Sequence, residues 1–385
     1  MAGEHVWVSL SPRRPDDRPP GPALAASWVS EVSGAPVPGH AGRGPDLVDA
    51  ALDFALRLGR ENPAPVPGGG HTRELWETLA TLAAADLGAA RAIEPHLDAL
   101  AILDQAGIAG VNAGDSTWGV FAAEGGADPL VASDDGSVNS GDGSGGSWTL
   151  TGTKPWCSLA DRLDRALVSA TVSPATVSPA LDGGGAAVPR RLFSVDLRQP
   201  GVQALPDSWH ARGLTEVPSG PVHFDSVAAE PVGEAGWYLA RPGFAWGGIG
   251  VAACWFGGAV GVARTLAGRA RGTSDTLLHL HLGIVDERLG DARRALAEAA
   301  RLIDSGQATG EQGRVLAKRV RATVARASED VLRQVGHALG PAPLALDDEH
   351  AKRVADLELY LRQHHAEKDE ASLGRQLTEG ADLPW

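Results

Sequence analysis

The 385 residues are enough for two or three domains, and 43% apolar content can supply their cores. A formal net charge of −14 argues against nucleic acid or an anionic membrane surface as a partner, since both reward an excess of Lys and Arg. Two cysteines, Cys157 and Cys254, make neither a disulfide framework nor a zinc site and fit a reducing, cytoplasmic setting.

Residues 1–44 are rich in Pro and Gly and read as an irregular segment. Their start, "MAGEHVWVSLSPRRPDDRPP", lacks the continuous apolar run of a signal peptide. Helical spacing then dominates residues 45–117. "PDLVDAALDFALRLG" places Leu47, Ala51, Phe54, Ala55 and Leu58 on one stripe. "HTRELWETLATLAAADLGAARAIEPHLDALAILDQAG" predicts two more helices, the second closing near Gly107.

Residues 118–240 change character. Short β-type runs such as "SWTLTGTKPW", "RALVSATV", "RLFSVDL" and "GPVHFDSV" alternate with Gly, Pro, Asp and Ser clusters. Two low-complexity inserts, Ser133–Ser147 and Ser173–Pro189, read as exposed loops. Residues 241–385 are helical again. The most apolar stretch, Phe244–Leu266, holds six glycines and two tryptophans and reads as a helix buried in a bundle, not a membrane span. Three long amphipathic patterns follow, the last being "LDDEHAKRVADLELYLRQHHAEKD". Four helices with short loops predict a four-helix bundle. His279 and His281, two apart, face different sides of a helix, and no third ligand is suitably spaced, so no metal site is predicted. There is no phosphate loop, no GxGxxG following a strand and no Ser-His-Asp context.

The order of local patterns is informative. "LWETLATLAAADLGAARAIEPHLDALAIL" comes first. "WTLTGTKPWCSLADRLDRALVSA" holds a strand, a Gly-x-Lys turn and a Trp-x-Ser triplet. "LFSVDLRQPGV", "GPVHFDSV" and "YLARPGFAWGGIGVAACWFGGAVGVA" follow. This set, which spans nearly the whole chain from about residue 45, resembles the acyl-CoA dehydrogenase superfamily. The resemblance implies an α+β architecture: an N-terminal all-α domain, a middle β-barrel and a C-terminal four-helix bundle, with FAD as cofactor. It implies that Trp156 lies against the flavin ring and that the Ser158 hydroxyl reaches it, with Cys157 between them. An aromatic offers a stacking face, and a hydroxyl both donates and accepts. Other flavin positions depart from the family pattern. Ala123 stands where a Thr precedes Glu124, and of the Gly pair ending the third bundle helix only Gly340 remains, followed by Pro341.

The family's catalytic base is a Glu eight residues after an Asp. Counting from Asp356 that position is His364, in "HHA" where the family has "EGT". A second branch places the Glu on the Gly-rich helix, which here contains no carboxylate. A histidine titrates near neutral pH and suits proton transfer in either direction. His364 is therefore the first candidate, His365 the second and Glu367 the fallback carboxylate. Two adjacent residues on a helix point about 100° apart, so at most one histidine faces a common site. The bland alternative is a solvated helix end whose histidines relieve the dipole.

Three functions follow from the resemblance. The first is an FAD-dependent dehydrogenase that oxidises an acyl thioester, such as an acyl-CoA, or a related small substrate and passes electrons to an electron-transfer flavoprotein. The second is a flavin-dependent oxidase or monooxygenase that uses oxygen on a substrate without CoA. The third is a catalytically silent relative acting as a binding or assembly partner. A homodimer or homotetramer is expected for the first two.

Overall fold

The computed structural model describes residues 7–11, 18–34, 44–61, 66–108, 115–134, 148–173, 189–205 and 208–380. Most of both low-complexity inserts lies outside the described residues. The chain divides into two compact units. One is helical and comprises Met1–Glu94, Ala211–Glu216 and Ala245–Trp385; the other comprises Pro95–His210 and Val217–Phe244.

The helical unit opens with α1 (Pro20–Gly34), α2 (Gly44–Glu61) and α3 (Thr72–Ala85). Helix α1 corrects the irregular segment expected over residues 1–44. Its sequence, "PGPALAASWVSEVSG", carries apolar residues around the helix, not along one stripe, so periodicity does not reveal it. Tertiary packing holds it: Ala25, Ala26, Trp28 and Val29 are buried, and Trp28 stacks on Phe54 of α2 at 5.2 Å. Helix α4 (Leu87–Gln105) carries Pro95 inside it, where the two units divide. A mid-helix proline removes one ladder hydrogen bond, which makes this a natural place for a helix to change partners.

In the second unit, β1 (Trp118–Phe121), β2 (Val131–Asp134), β3 (Trp148–Lys154), β4 (Arg165–Val172), β5 (Arg190–Asp196), β6 (Val202–Ala204) and β7 (Val222–Val232) form a closed sheet. The ring runs β4-β2-β3-β7-β5 and returns to β4, so these strands leave no open edge. Strand β1 extends β4 in parallel, Trp118 opposite Arg165, and β6 pairs with β7. Leu150, Leu167, Phe193, Val195 and Phe224 are buried. The second half of α4 packs Ala99, Ile102 and Leu103 against Trp118, Leu167, Leu192 and Val232. The barrel unit thus reaches back to Pro95, earlier than the expected start at 118. The short α5 (Trp237–Ala240) follows β7.

The remaining helices are α6 (Pro242–Ala270), α7 (Thr276–Asp304), α8 (Gly310–Leu339), α9 (Ala342–Leu346), α10 (Asp348–Tyr360) and α11 (Glu367–Thr378). Helix α6 is long and apolar enough to cross a membrane, but 78% of its most apolar window is buried inside the protein. Its glycines let it approach α3. A Cβ on Gly261 would lie 2.7 Å from the Ala84 carbonyl oxygen, and one on Gly257 would overlap that of Ala80. The fourth expected bundle helix stops early, at Tyr360. A single 3-10 turn, Leu361–Gln363, follows, and the chain then bends through Ala366 at φ +44° before α11 begins. No Gly or Pro marks this break. Groups distant in sequence hold it.

Candidate functional site

His364 sits at the end of the 3-10 turn in extended backbone (φ −81°, ψ 119°), and its N–H donates to the Leu361 carbonyl at 2.9 Å. Its side chain is only 9% exposed. The ring lies 6.2 Å from Trp255 of α6, edge to face, and Nε2 is buried without a hydrogen-bond partner. Asp369 Oδ2 is 4.0 Å from that nitrogen. Burial holds the imidazole below its ordinary pKa and the Arg321 guanidinium adds to this, while Asp369, Glu370 and Glu329 oppose. The ring is therefore neutral at pH 7.

His365 points elsewhere. Its side chain is 69% exposed, with Nδ1 3.4 Å from Asp369 Oδ1. Glu367 is exposed in the first turn of α11. Of the three candidates for the base, the structure buries one. The two histidines diverge because the chain leaves the helix before reaching them, not because they lie 100° apart on one.

Around His364 the helical unit gathers other side chains. Arg321 of α8 lies over the Trp255 ring, 4.7 Å from its centroid. It donates to the Gly248 carbonyl at 2.5 Å and the Gln363 carbonyl at 3.0 Å. Tyr360 meets Trp255 edge to face at 6.4 Å, and Arg91 lies over the Tyr360 ring. Cys254 lies beside Tyr360, and burial pushes its thiol well above the usual range, so it is no thiolate.

Asp356, which marked the register for His364, has a structural task. Its Oδ1 accepts the Leu214 N–H at 2.6 Å, and its Oδ2 is 2.6 Å from Lys352. Lys352 also lies 3.1 Å from Asp86 and 2.6 Å from Glu216. The ligand atoms of Asp86, Glu216 and Asp356 lie within 4.8 Å of one another, the spacing of a metal site, but the lysine ammonium is their cation. Burial pulls Lys352 down, and the three carboxylates more than reverse this. Burial pushes Asp356 up to about 6 against the pull of Lys352 and the Leu214 N–H, with Glu216 adding to the push.

In the barrel unit, Trp156 follows β3 and is 62% exposed, whereas Trp28, Trp76, Trp118, Trp148, Trp246 and Trp255 are buried. Its backbone is left-handed at φ +60°, and so is Leu159 at φ +57°. Each such conformation costs about 1–2 kcal/mol for an L-residue, so the surroundings must impose it. The backbone does: Cys157 N–H donates to Gly220 O and Leu159 N–H to Pro218 O, both at 2.9 Å. The Ser158 and Ser219 hydroxyls are 2.7 Å apart. Cys157 is buried, its thiol pushed up to about 12 by burial against the pull of Lys154.

Lys154 closes β3 and is 1% exposed. Its ammonium donates to Glu124 Oε1 at 3.0 Å, Ser169 O at 2.7 Å and Ser169 Oγ at 2.9 Å. Burial lowers its pKa, with Glu124 opposing. Glu124 is thus the counter-ion of a buried lysine, and Ala123 is exposed beside it. Gly152 lets the strand pass: at φ +119°, a Cβ would lie 2.7 Å from the Pro129 carbonyl oxygen. Gly340 ends α8 at φ +64°, its N–H on the Gly336 carbonyl, with no other atom within 4 Å of where a Cβ would stand.

Sequence reasoning passed over Lys154, Trp255 and Arg321. Lys154 stood in the quoted Gly-x-Lys turn. Arg321 had a readable signal too: it falls at helical spacing between the buried Ala317, Val324 and Ser328, a cation on an apolar stripe.

No family model matches the chain, and no curated protein does. Solved structures do. FMN-bound TdsC from Paenibacillus sp. A11-2, also described as a dibenzothiophene monooxygenase, is 18% identical with a TM-score of 0.69, covering 94% of this chain and 97% of its own. KijD3 in complex with FMN and a dTDP-linked amino-keto sugar is 18% identical at 0.69, covering 97% and 96%. A glutaryl-CoA dehydrogenase from Mycobacterium smegmatis in complex with FADH2 is 18% identical at 0.70, covering 96% of each. With its closed barrel and C-terminal helices, this chain has the fold of the acyl-CoA dehydrogenase superfamily.

Proposed function

We propose that the chain is a flavin-dependent oxidoreductase that passes electrons to oxygen and acts on a small substrate without CoA. The observation that carries the flavin is Trp156: a large apolar ring held exposed by a strained turn, on a fold whose similar structures contain FMN or FADH2. Its face suits a planar heteroaromatic ring. Beside it stands the Ser158 hydroxyl, 2.7 Å from that of Ser219, a group that can both donate and accept. The bound flavin would supply two-electron redox chemistry, and either FMN or FAD satisfies the argument.

The choice of oxygen rests on His364. Removing the α-proton of a thioester favours a strong, negatively charged base. His364 is neutral, held below its ordinary pKa and set near the fixed charge of Arg321, so it is a weak base. A proton held and returned at its unpartnered Nε2 suits chemistry that needs an acid or a neutral donor. The dehydrogenase reading stands second, supported by the likeness to glutaryl-CoA dehydrogenase. A homodimer or homotetramer is part of this proposal, and light scattering would measure it.

The test is an absorbance spectrum after incubation with FMN or FAD and desalting. Retained flavin bands are expected. Oxygen consumption by the reduced protein then separates the two readings. A spectrum flat in the visible after both incubations would overturn both and leave a binding or assembly role.

A further inference from the structure

We infer that Arg321 is the positioning residue of His364: it fixes the turn that presents the imidazole and keeps a permanent cation beside it. One planar guanidinium joins three pieces of the helical unit. It takes the Gly248 carbonyl of α6 at 2.5 Å, covers the Trp255 indole at 4.7 Å and takes the Gln363 carbonyl, the residue directly before His364, at 3.0 Å. The Gln363 carbonyl is left over where α10 unwinds, so it needs a donor from outside the helix. The Trp255 ring that Arg321 covers is the ring that meets His364 at 6.2 Å. The imidazole is thus fixed twice by one side chain, through its own backbone and through the indole against which it packs. A lysine reproduces the charge but not the fork or the stacking plane.

The remaining charges near His364 sharpen this. Glu329 of α8 is engaged by Arg362 at 2.5 Å, and Glu370 of α11 by Arg326. That leaves Asp369 of α11, 4.0 Å from Nε2, which also accepts the His365 N–H at 3.1 Å and lies 3.4 Å from His365 Nδ1, as the carboxylate facing the ring, and Arg321 as its opponent. The ring's preference for the neutral state follows from burial and this cation together.

The inference rests on the flavoenzyme reading for its use in catalysis, so the deciding measurement needs no flavin. Ring carbon NMR of the histidine-labelled full chain, with His364→Gln to assign the signal, gives the titration midpoint of His364 in the wild type, Arg321→Met and Arg321→Lys. The wild-type midpoint is expected below 6.5. It should move upward in Arg321→Met and stay near the wild type in Arg321→Lys, whose turn loosens and whose His364 signal shifts at fixed pH. A folded Arg321→Met protein with an unmoved midpoint would overturn the inference. So would a wild-type midpoint at or above 6.5, which settles the matter even if Arg321→Met does not fold. Failure of the flavoenzyme reading appears separately, as a flat visible spectrum with these titrations intact.

Discussion

At the scale of residues, Trp156 and His364 do opposite things with their surroundings. Trp156 is exposed at a conformational cost, so its removal should leave stability nearly untouched. Trp156→Ala is expected to change unfolding free energy by less than about 0.5 kcal/mol while weakening flavin retention at least about tenfold, the size of a lost aromatic contact of about 1.4 kcal/mol. Denaturant melts and a flavin titration check the two halves. His364 is buried and neutral. Its folded pKa lies below the unfolded 6.5, so its contribution to stability is present above pH 6.5 and lost as pH falls through the folded value. Asp356 works in reverse. Its folded pKa of about 6 exceeds the unfolded 3.8, so its contribution is present below 3.8 and lost as pH rises through 6. Melting temperatures from pH 7.5 to 4 should show His364→Gln losing less stability than the wild type on acidification. Asp356→Asn should lose more, because it forgoes the opposing gain.

At the scale of elements, the glycines of α6 separate packing from flexibility. Gly257 faces the Ala80 carbonyl, whereas Gly268, further along the same helix, has no neighbour within 4 Å of where a methyl would stand. Gly257→Ala is expected to destabilise by about 1–3 kcal/mol or more through overpacking. Gly268→Ala should stabilise by about 0.5–1 kcal/mol through helix propensity; thermal unfolding of both variants reads the contrast. This close packing was legible in the sequence, since eight glycines spread along an apolar helix lower its propensity and have a use where a neighbouring backbone comes close. The barrel was legible too: short β runs alternate with turn clusters. Helix α1 was not, because its apolar residues form no stripe. The break after Tyr360 was not, because Arg321 holds the Gln363 carbonyl from a distant helix. Spacing from Asp356 singled out His364 in the sequence, but the burial that sets it apart from His365 belongs to the turn.

At the scale of the whole molecule, the chain leaves the barrel unit at Ala211, enters the helical unit for a few residues and departs after Glu216. The strap is gripped there. Asp356 holds the Leu214 N–H, Lys352 holds Glu216, and a Cβ on Gly213 would overlap the Ala355 carbonyl. Lys352→Met leaves three carboxylates without their cation and is expected to cost about 3 kcal/mol. Limited proteolysis should then cut the variant within 211–216 well before the wild type. The strap also imposes an order on synthesis. Residues 95–244 hold all the strands of the barrel, so that unit can close while the chain is still emerging. Glu216 also lies against Gly88, made early, but the lysine and aspartate that grip the strap, Lys352 and Asp356, lie beyond residue 350. At about 5–20 residues per second, the ribosome needs several seconds more to deliver them. For that interval the newborn protein is a finished barrel with residues 211–216 not yet gripped and the first three helices still without the helices that complete their unit.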